Sequence, residues 1–320
     1  MKRLKIAVLM GGPSAEREVS LKSGTAVATA LTATGAKVVP IDIKETTFSI
    51  PADVDVAFVA LHGTFGEDGT LQRILEDAGI AYTGSGPEAS ARAFDKIAAK
   101  AEFRIADIST PKSELFDRAD ADWQRLARLG FPLVVKPSRQ GSSVGISIVQ
   151  EEADLEEACQ IAWRYDNRLL VEQFIAGREL TVGIFDGRAL PVIEIRPKHD
   201  FFTYEAKYTK GQTDYLVPAP LEKHVEAQAK MLALRAHDCL GCRDLSRVDF
   251  ILAENGELFV LEVNTIPGFT ETSLVPQAAR AAGMEFSDLC ARLVQMALAR
   301  RGRNAAVGAN ENEKETIAVS

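Results

Sequence analysis

Two carboxylates and an amide stand at spacings that bring them together between Arg247 and Asn264. The segment reads Arg247-Val-Asp249-Phe-Ile-Leu-Ala, then Glu-Asn255-Gly256-Glu, then Leu-Phe-Val-Leu-Glu262-Val-Asn264. Apolar runs rich in β-formers flank Asn-Gly, a strong signal for a two-residue hairpin turn. Such a turn sets Asp249 opposite Glu262 and Arg247 opposite Asn264 on one face. The other face then carries Val248, Phe250, Leu252, Phe259, Leu261 and Val263 as an apolar layer. Carboxylates facing each other on a sheet lie about 5 Å apart and repel, so the pairing calls for something positive between them. Oxygen ligands without His or Cys favour a hard cation that keeps waters and binds substrate phosphates, a description that Mg²⁺ fits. The alternative is a solvated pair, or a bulge that shifts the register.

A second polar segment, Pro137-Ser-Arg-Gln-Gly141-Ser142-Ser143-Val-Gly145, joins the strand ending at Lys136 to another at Ile146 to Val149. Its small residues let backbone N–H groups approach an anion, with Lys136 alongside as a point charge. It lacks the P-loop spacing and the helix that follows a P-loop, and an ordinary Gly/Ser hairpin loop remains open. Cys239-Leu-Gly-Cys242 has redox or zinc spacing, but it closes a helix from Val225 to Asp238 with Gly241 at the C-cap. No second cysteine pair supplies further ligands, so it reads as buried packing.

Positioning these residues falls to alternating elements. Strands at Leu4 to Leu9, Lys37 to Ile41 and Val54 to Leu61 alternate with helices ending near Thr34 and spanning about Gly69 to Asp77, the pattern of a parallel sheet covered on both faces. Ligands in such sheets sit beyond the carboxyl ends of the strands. There the chain places Gly11-Gly-Pro-Ser-Ala-Glu16-Arg17 and His62-Gly-Thr-Phe-Gly-Glu67-Asp68-Gly, neither of which is a dinucleotide fingerprint.

At 320 residues the chain is long for one core, and a prior of roughly 150 residues per domain suggests two or three. A net charge of −8 argues against a nucleic-acid surface. No run approaches the ~20 apolar residues of a membrane span, and the N-terminal run from Ile6 to Met10 is too short for a signal peptide. Four cysteines make no disulfide framework. A cytoplasmic protein acting on small molecules is expected. After Arg301 apolar periodicity stops, as in a disordered tail.

Taken in order, Gly-Gly-Pro-Ser-Ala-Glu16-Arg-Glu-Val-Ser, Leu-His62-Gly, Tyr-Thr-Gly-Ser85-Gly, Val-Lys136-Pro-Ser-Arg-Gln-Gly-Ser142-Ser-Val-Gly, Tyr204-Glu-Ala-Lys207-Tyr208 and Glu262-Val-Asn264-Thr-Ile-Pro-Gly268 form a set. This set resembles the ATP-grasp ligases and, within them, the D-alanine:D-alanine ligase family, over about residues 4 to 298. The resemblance implies an α/β protein in which an ATP-grasp fold is preceded by a Rossmann-like parallel-sheet domain. Expected boundaries are 1–93 for that domain, 94–177 and 178–303 for the central and C-terminal grasp subdomains, and 304–320 for the tail.

The resemblance also implies roles. Lys96, Lys136 and Ser143 contact phosphates, Glu172, Phe174 and Ile175 lie where adenine is read, and Glu179 matches the ribose position. Asp249, Glu262 and Asn264 match magnesium ligands, with two ions expected and Mn²⁺ as a substitute, ATP being a co-substrate. Glu16 binds the ammonium of the first D-alanine and connects through Ser142 to Tyr208, in a closing lid. Arg247 and Gly268 form an oxyanion site. Ser273 and Leu274 receive the second carboxylate, and His62 and Lys207 are substrate-site residues. The implied reaction makes D-alanyl-D-alanine through an acyl phosphate for peptidoglycan, in a homodimer. A D-alanine:D-lactate depsipeptide ligase is disfavoured because Tyr204 to Tyr208 is kept, and a non-catalytic nucleotide-binding module because Lys136 and the metal ligands are intact.

Overall fold

The computed structural model describes residues 1–119, 122–142, 144–198, 213–307 and 318–319, with side chains described up to residue 301. Its N-terminal part is the expected alternation: β1 (Lys5–Gly11), α1 (Arg17–Ala33), β2 (Lys37–Ile43), β3 (Phe48–Ser49), β4 (Val56–Val59) and α2 (Thr70–Asp77). Strands β2, β1 and β4 lie side by side, all parallel. Strand β4 is buried along its whole length, as a parallel strand covered on both faces must be. One face packs on Phe65, Leu71 and Leu75, and the other on α1 and on Phe286 to Ala297 of the last helix, so the first and last parts of the chain share a core.

Helices α3 (Pro87–Phe94) and α4 (Lys96–Ile105) follow. Pro87 opens α3, where a missing N–H does no harm. Asp95 caps α4, accepting from the N–H groups of Ile97 at 3.0 Å and Ala98 at 3.2 Å. Next comes an antiparallel sheet in the order β5 (Ser113–Asp117), β8 (Arg168–Gln173), β6 (Leu133–Pro137), β7 (Ser147–Val149). Its own core is built on Phe116, Trp163, Leu126 and Val135.

The larger antiparallel sheet runs β12 (Thr213–Leu216), β11 (Ile193–Pro197), β9 (Gly177–Phe185), β13 (Leu245–Ala253), β14 (Leu258–Asn264), with β10 (Arg188–Ala189) on β9. Helix Lys223–Cys239 covers one side together with α4. Helices Leu274–Ala281 and Phe286–Val307 complete the fold. The last helix runs past Arg301, where apolar periodicity ended, and β15 (Ala318–Val319) pairs with β3.

The β13–β14 hairpin corrects the expected turn while keeping the expected site. Its loop has three residues, Glu254 to Gly256. The Ala253 carbonyl accepts from Gly256 N–H at 2.9 Å, Ala253 N–H donates to Glu257 O at 2.9 Å, and Gly256 takes φ +84°. This turn shifts the pairing by one residue, so Phe250 faces Val260 and Leu252 faces Leu258. A bulge between Asp249 and Phe250 then shifts it back, and Asp249 faces Glu262 as Arg247 faces Asn264. The buried layer of β14 is consequently Leu258, Val260 and Val263, while Phe259 and Leu261, expected in the core, are only half-buried.

Candidate active site

A cavity of about 690 Å³ opens where the N-terminal sheet, the loop after β6 and the larger sheet meet. Its walls include Glu16, His62, Lys96, Ser142, Arg247, Glu262, Asn264, Gly268, Ser273 and Leu274. Of the expected site residues that are described, Lys136, Glu172, Phe174, Ile175, Glu179 and Asp249 are not on its described walls. Ser143, Lys207 and Tyr208 lie outside the described residues, as does Tyr204.

Glu16 stands at the start of α1, where the helix dipole favours a carboxylate. Ser142 donates to its Oε1. The carboxylate fills a slot between two glycines: a Cβ on Gly63 would come within 2.7 Å of Glu16 Oε2, and one on Gly141 within 2.6 Å. Ser142 itself is a non-glycine residue at φ +53°, a strained conformation of the kind that clusters at ligand-closing loops.

His62, at the end of β4, is buried and wired at both nitrogens. Its Nδ1 lies 2.9 Å from Ile266 O and its Nε2 3.0 Å from Ser23 Oγ. A carbonyl can only accept, so Nδ1 carries the proton in the neutral ring, and Nε2 accepts from Ser23. Ser23 Oγ in turn accepts Phe269 N–H at 3.1 Å. The pair thus pins the Ile266–Phe269 loop, and with it Gly268, to α1. Spacing within the sequence showed nothing of Ser23, whose partners are far away along the chain.

Further along the cavity, Ser273 precedes helix Leu274–Ala281, whose first N–H groups have no partner within the helix and suit a carboxylate. Ser273 Oγ accepts Thr270 N–H at 3.0 Å, and this holds the approach to the helix.

The hairpin carboxylates have positive neighbours from the chain itself. Arg247 forks both oxygens of Asp249, at 2.8 and 2.7 Å, and Thr181 donates to Asp249 Oδ1 at 2.6 Å. Lys96 Nζ lies 3.3 Å from Glu262 Oε2 and donates to Gln140 O at 2.6 Å. These cations offset the Asp249–Glu262 repulsion, so that repulsion alone does not require a metal. The donor set still fits one. Asn264 Oδ1 accepts from Ile266 N–H at 2.9 Å and keeps a second lone pair. Among the described residues no trio of His, Cys, Asp or Glu converges. Two carboxylates and an amide would therefore need phosphate or water oxygens to complete a hard cation's shell.

Lys136 ends β6, and its ammonium is bonded to Glu172 Oε1 inside the smaller sheet. Lys100 of α4 approaches Oε2 of the same carboxylate at 2.7 Å. Burial opposes ionisation of Glu172, yet the two ammoniums outweigh it and hold the carboxyl below its ordinary range. Burial also pushes Lys100 down to about 8, against the pull of Glu172. Phe174 and Ile175 are half-buried in the link from β8 to β9, and Glu179 follows on β9. Asp95 ties α4 to the phosphate-type loop, accepting from Ser138 Oγ at 2.8 Å and Arg139 Nε at 3.0 Å. Lys100 and Asp95 escaped the sequence reading, although Lys96 and Lys100 share a helix face at i,i+4 spacing.

Cys239 and Cys242 are free thiols at the end of helix Lys223–Cys239. Burial pushes their thiols up to about 11 and about 12, which removes the thiolate at neutral pH.

Two antiparallel sheets following a parallel-sheet unit are the ATP-grasp architecture. Family profiles described as D-ala D-ala ligase N-terminus and C-terminus match residues 5–50 and 46–85, and residues 101–295. The D-alanine--D-alanine ligase of Syntrophotalea carbinolica is 48% identical over 303 residues, covering 94% of this chain and 98% of that one. That of Methylacidiphilum infernorum is 46% identical over 295 residues, covering 92% and 96%. Among solved structures, Bacillus anthracis D-alanine--D-alanine ligase complexed with ATP superposes with a TM-score of 0.84 at 34% identity, covering 94% of this chain and 99% of that one. The VanG D-Ala:D-Ser ligase of Enterococcus faecalis gives 0.83 at 32%, covering 92% and 100%. The chain belongs to the D-alanine--D-alanine ligase family.

Proposed function

We propose that this chain joins two D-alanine molecules at the expense of ATP, making D-alanyl-D-alanine for peptidoglycan. The observation that carries this reading is the single cavity lined by Glu16 and Ser142, by Arg247 and Gly268, and by the helix start at Ser273 and Leu274. These suit, in order, an ammonium, an oxyanion and a carboxylate.

A carboxylate is a poor electrophile. In the first step an oxygen of the first D-alanine attacks the γ-phosphorus of ATP, and ADP leaves with the bonding pair. Lys96 and Lys136 hold the phosphates for in-line transfer, and the adenine is read by backbone groups of the segment Glu172, Phe174 and Ile175, with the ribose at Glu179. In the second step the deprotonated amine of the second D-alanine attacks the acyl carbon, and inorganic phosphate departs. Arg247 and the Gly268 N–H stabilise the tetrahedral oxyanion, a contribution of about 3–4 kcal/mol for a well-placed donor. Glu16 orients the first ammonium through the Ser142 link, and the family resemblance supports Tyr208 as a catalytic, Lys207 as a substrate-site and Ser143 as an ATP-site residue. Asp249, Glu262 and Asn264 would hold magnesium, two ions with manganese as a substitute, and when bound these neutralise charge on the transferring phosphoryl group.

Among the described residues no helix is long and apolar enough to cross a membrane. A cytoplasmic setting, where ATP is available, and a homodimer complete the proposal, both supported by the family resemblance. So does a division at residues 93 and 177, supported by the change from one sheet to the next.

The test is ADP release, coupled to product analysis, with D-alanine, D-serine, D-lactate and L-alanine offered singly and in pairs. D-Alanine alone is expected to support turnover and yield the dipeptide. ADP release only with D-lactate or D-serine as acceptor would overturn the assignment.

A further inference from the structure

Among the described residues, Lys100 is the one buried lysine near the proposed nucleotide end to which the reaction above gives no task. It is 1% exposed, and it is held at three points: 2.6 Å from Thr110 Oγ1, 3.5 Å from Pro111 O and 2.7 Å from Glu172 Oε2. Thr110 Oγ1 donates onward to Val260 O of β14 at 2.7 Å. Lys100 therefore sits on a polar strut that runs from the smaller sheet, through α4, to the hairpin carrying Asp249 and Glu262. Glu172 Oε2 is buried and, among the described residues, makes no hydrogen bond of good geometry, so the Lys100 ammonium is what answers it.

The three side chains hold two positive charges and one negative, a net +1 in a buried place. Uncompensated charge of this kind is costly, and it favours the approach of an anion. The two ammoniums are not equivalent. Lys100 is anchored by oxygens of the segment after α4, whereas among the described residues the Lys136 ammonium bonds to Glu172 alone. If Lys136 is to serve phosphate, it must loosen its hold on Glu172, and that carboxylate then needs another counter-charge.

We propose that Lys100 is a positioning residue which keeps Glu172 neutralised, so that Lys136 can be handed to the phosphates of ATP. This rests on the reading of Lys136 as a phosphate ligand. With Lys100 in place, Glu172 need not compete for Lys136. Without it, Glu172 becomes a buried anion whose sole partner is Lys136, and it retains that lysine.

The experiment is titration of the full-length protein with the ATP analogue AMP-PNP and magnesium chloride, alongside KM for ATP and for D-alanine and thermal unfolding. Lys100→Met should weaken AMP-PNP binding and raise KM for ATP by about 10- to 100-fold, the scale of a hydrogen bond to a charged group, while KM for D-alanine stays near wild type. Adding Glu172→Gln should restore AMP-PNP affinity to within about threefold of wild type, because one charge of each sign is then gone and Gln cannot trap Lys136 as an ion. Lys100→Arg, which keeps the charge, should bind as wild type does. A merely structural lysine predicts the opposite for the double variant, two lesions in one buried cluster. Wild-type affinity in Lys100→Met, or no rescue by Glu172→Gln in a folded protein, overturns the proposal. Should Lys100→Met not fold, a tenfold loss in either Lys100→Arg or the charge-balanced double variant does the same. Lys136→Met is the control. Its binding AMP-PNP like wild type would remove the phosphate role of Lys136 itself, whereas a loss there with none in Lys100→Met sinks only the role of Lys100.

Discussion

The two sheets of the grasp each carry a cluster of opposed charges, and the clusters differ in what surrounds them. In the smaller sheet Glu172 is enclosed between Lys100 and Lys136, with side chains 3%, 1% and 7% exposed. In the larger sheet Asp249 is held by Arg247, but its cross-strand partner Glu262, with Lys96 beside it, is 31% exposed and lines the cavity. In both clusters the carboxylates are answered by the chain's own cations, with one positive charge to spare in the sealed one. The sealed cluster cannot lose its carboxylate without stranding two ammoniums in the interior, so it belongs to the fold as much as to the nucleotide site. The open cluster can exchange its partners for a ligand's, because water and substrate can reach it. Charge pairing thus marks both places, and exposure tells the carboxylate that is locked inside from the one that a ligand can reach.

The strongest way to break this contrast is to remove the central charge of the sealed cluster. Glu172→Leu leaves two ammoniums buried without a carboxylate, a change expected to destabilise by about 3–5 kcal/mol, read by urea or thermal unfolding. The acid limb should change as well. Burial resists ionisation of Glu172 but Lys100 and Lys136 prevail, so its folded pKa lies below the ordinary 4.5. A carboxyl depressed in this way stabilises fully above pH 4.5, and that stabilisation is lost as pH falls through the lower folded value. Wild-type melting temperature should therefore drop more steeply below that pH than that of the variant. A variant as stable as wild type would show that the cluster is no strut.

The open cluster should respond in the other way. Glu262→Gln keeps volume and removes charge from a residue one-third exposed, so unfolding should shift little. Turnover should fall at least about 100-fold, since even residues behind a metal's direct ligands are worth 10- to 100-fold. Full activity at ordinary magnesium concentrations would dismiss Glu262 as a metal ligand. Tyr208 sharpens the same open side. Tyr208→Phe removes a hydroxyl worth on the order of 1 kcal/mol if buried, and measurable D-alanyl-D-lactate should appear, most at lower pH where the D-alanine amine is protonated. Product analysis with equal D-alanine and D-lactate over a pH series decides it, and an unchanged ratio would free Tyr208 from acceptor choice.

The open cluster was legible in the sequence and the sealed one was not, for physical reasons. Alternating residues on two β-runs told that Asp249 and Glu262 share a face, and this holds because the bulge beside Asp249 restores the register that the longer turn shifts. The turn itself was misread because Asn255-Gly256 suits both a two-residue loop and the last two places of a three-residue loop. Burial of Val260 and Leu258 in place of Phe259 and Leu261 selects the second, with the bulge at Asp249 restoring the pairing. The parallel N-terminal sheet was equally plain, from short apolar runs ending in polar loops. Lys100 gave no such sign. It lies in Lys-Ile-Ala-Ala-Lys-Ala-Glu-Phe, where a lysine ordinarily faces water, and only the strand bearing Glu172, distant in the chain, explains its burial. The burial of the Glu172 side chain between two lysines was hidden in the same way, because both partners lie far from it in the chain.

The smallest effect belongs to an uncharged counterpart of these clusters, the Ser23–His62 clamp. Ser23→Ala removes the acceptor of the buried Phe269 N–H and the donor to His62 Nε2, two hydrogen bonds of 3.1 and 3.0 Å. No charge is stranded, so the loss of stability should be about 1–3 kcal/mol, below that of Glu172→Leu, and nearly the same at low and high salt, unlike that of an ion pair. The loop from Ile266 to Phe269 should loosen, and because it carries Gly268, turnover should fall modestly while KM for ATP stays put. Nitrogen NMR of His62 provides an independent check: the carbonyl of Ile266 requires the proton on Nδ1 of the neutral ring, and Ser23→Ala should leave it there, because that bond survives. A neutral ring protonated at Nε2 in the wild type would mean that Ser23 accepts from His62 and that the clamp is wired in reverse.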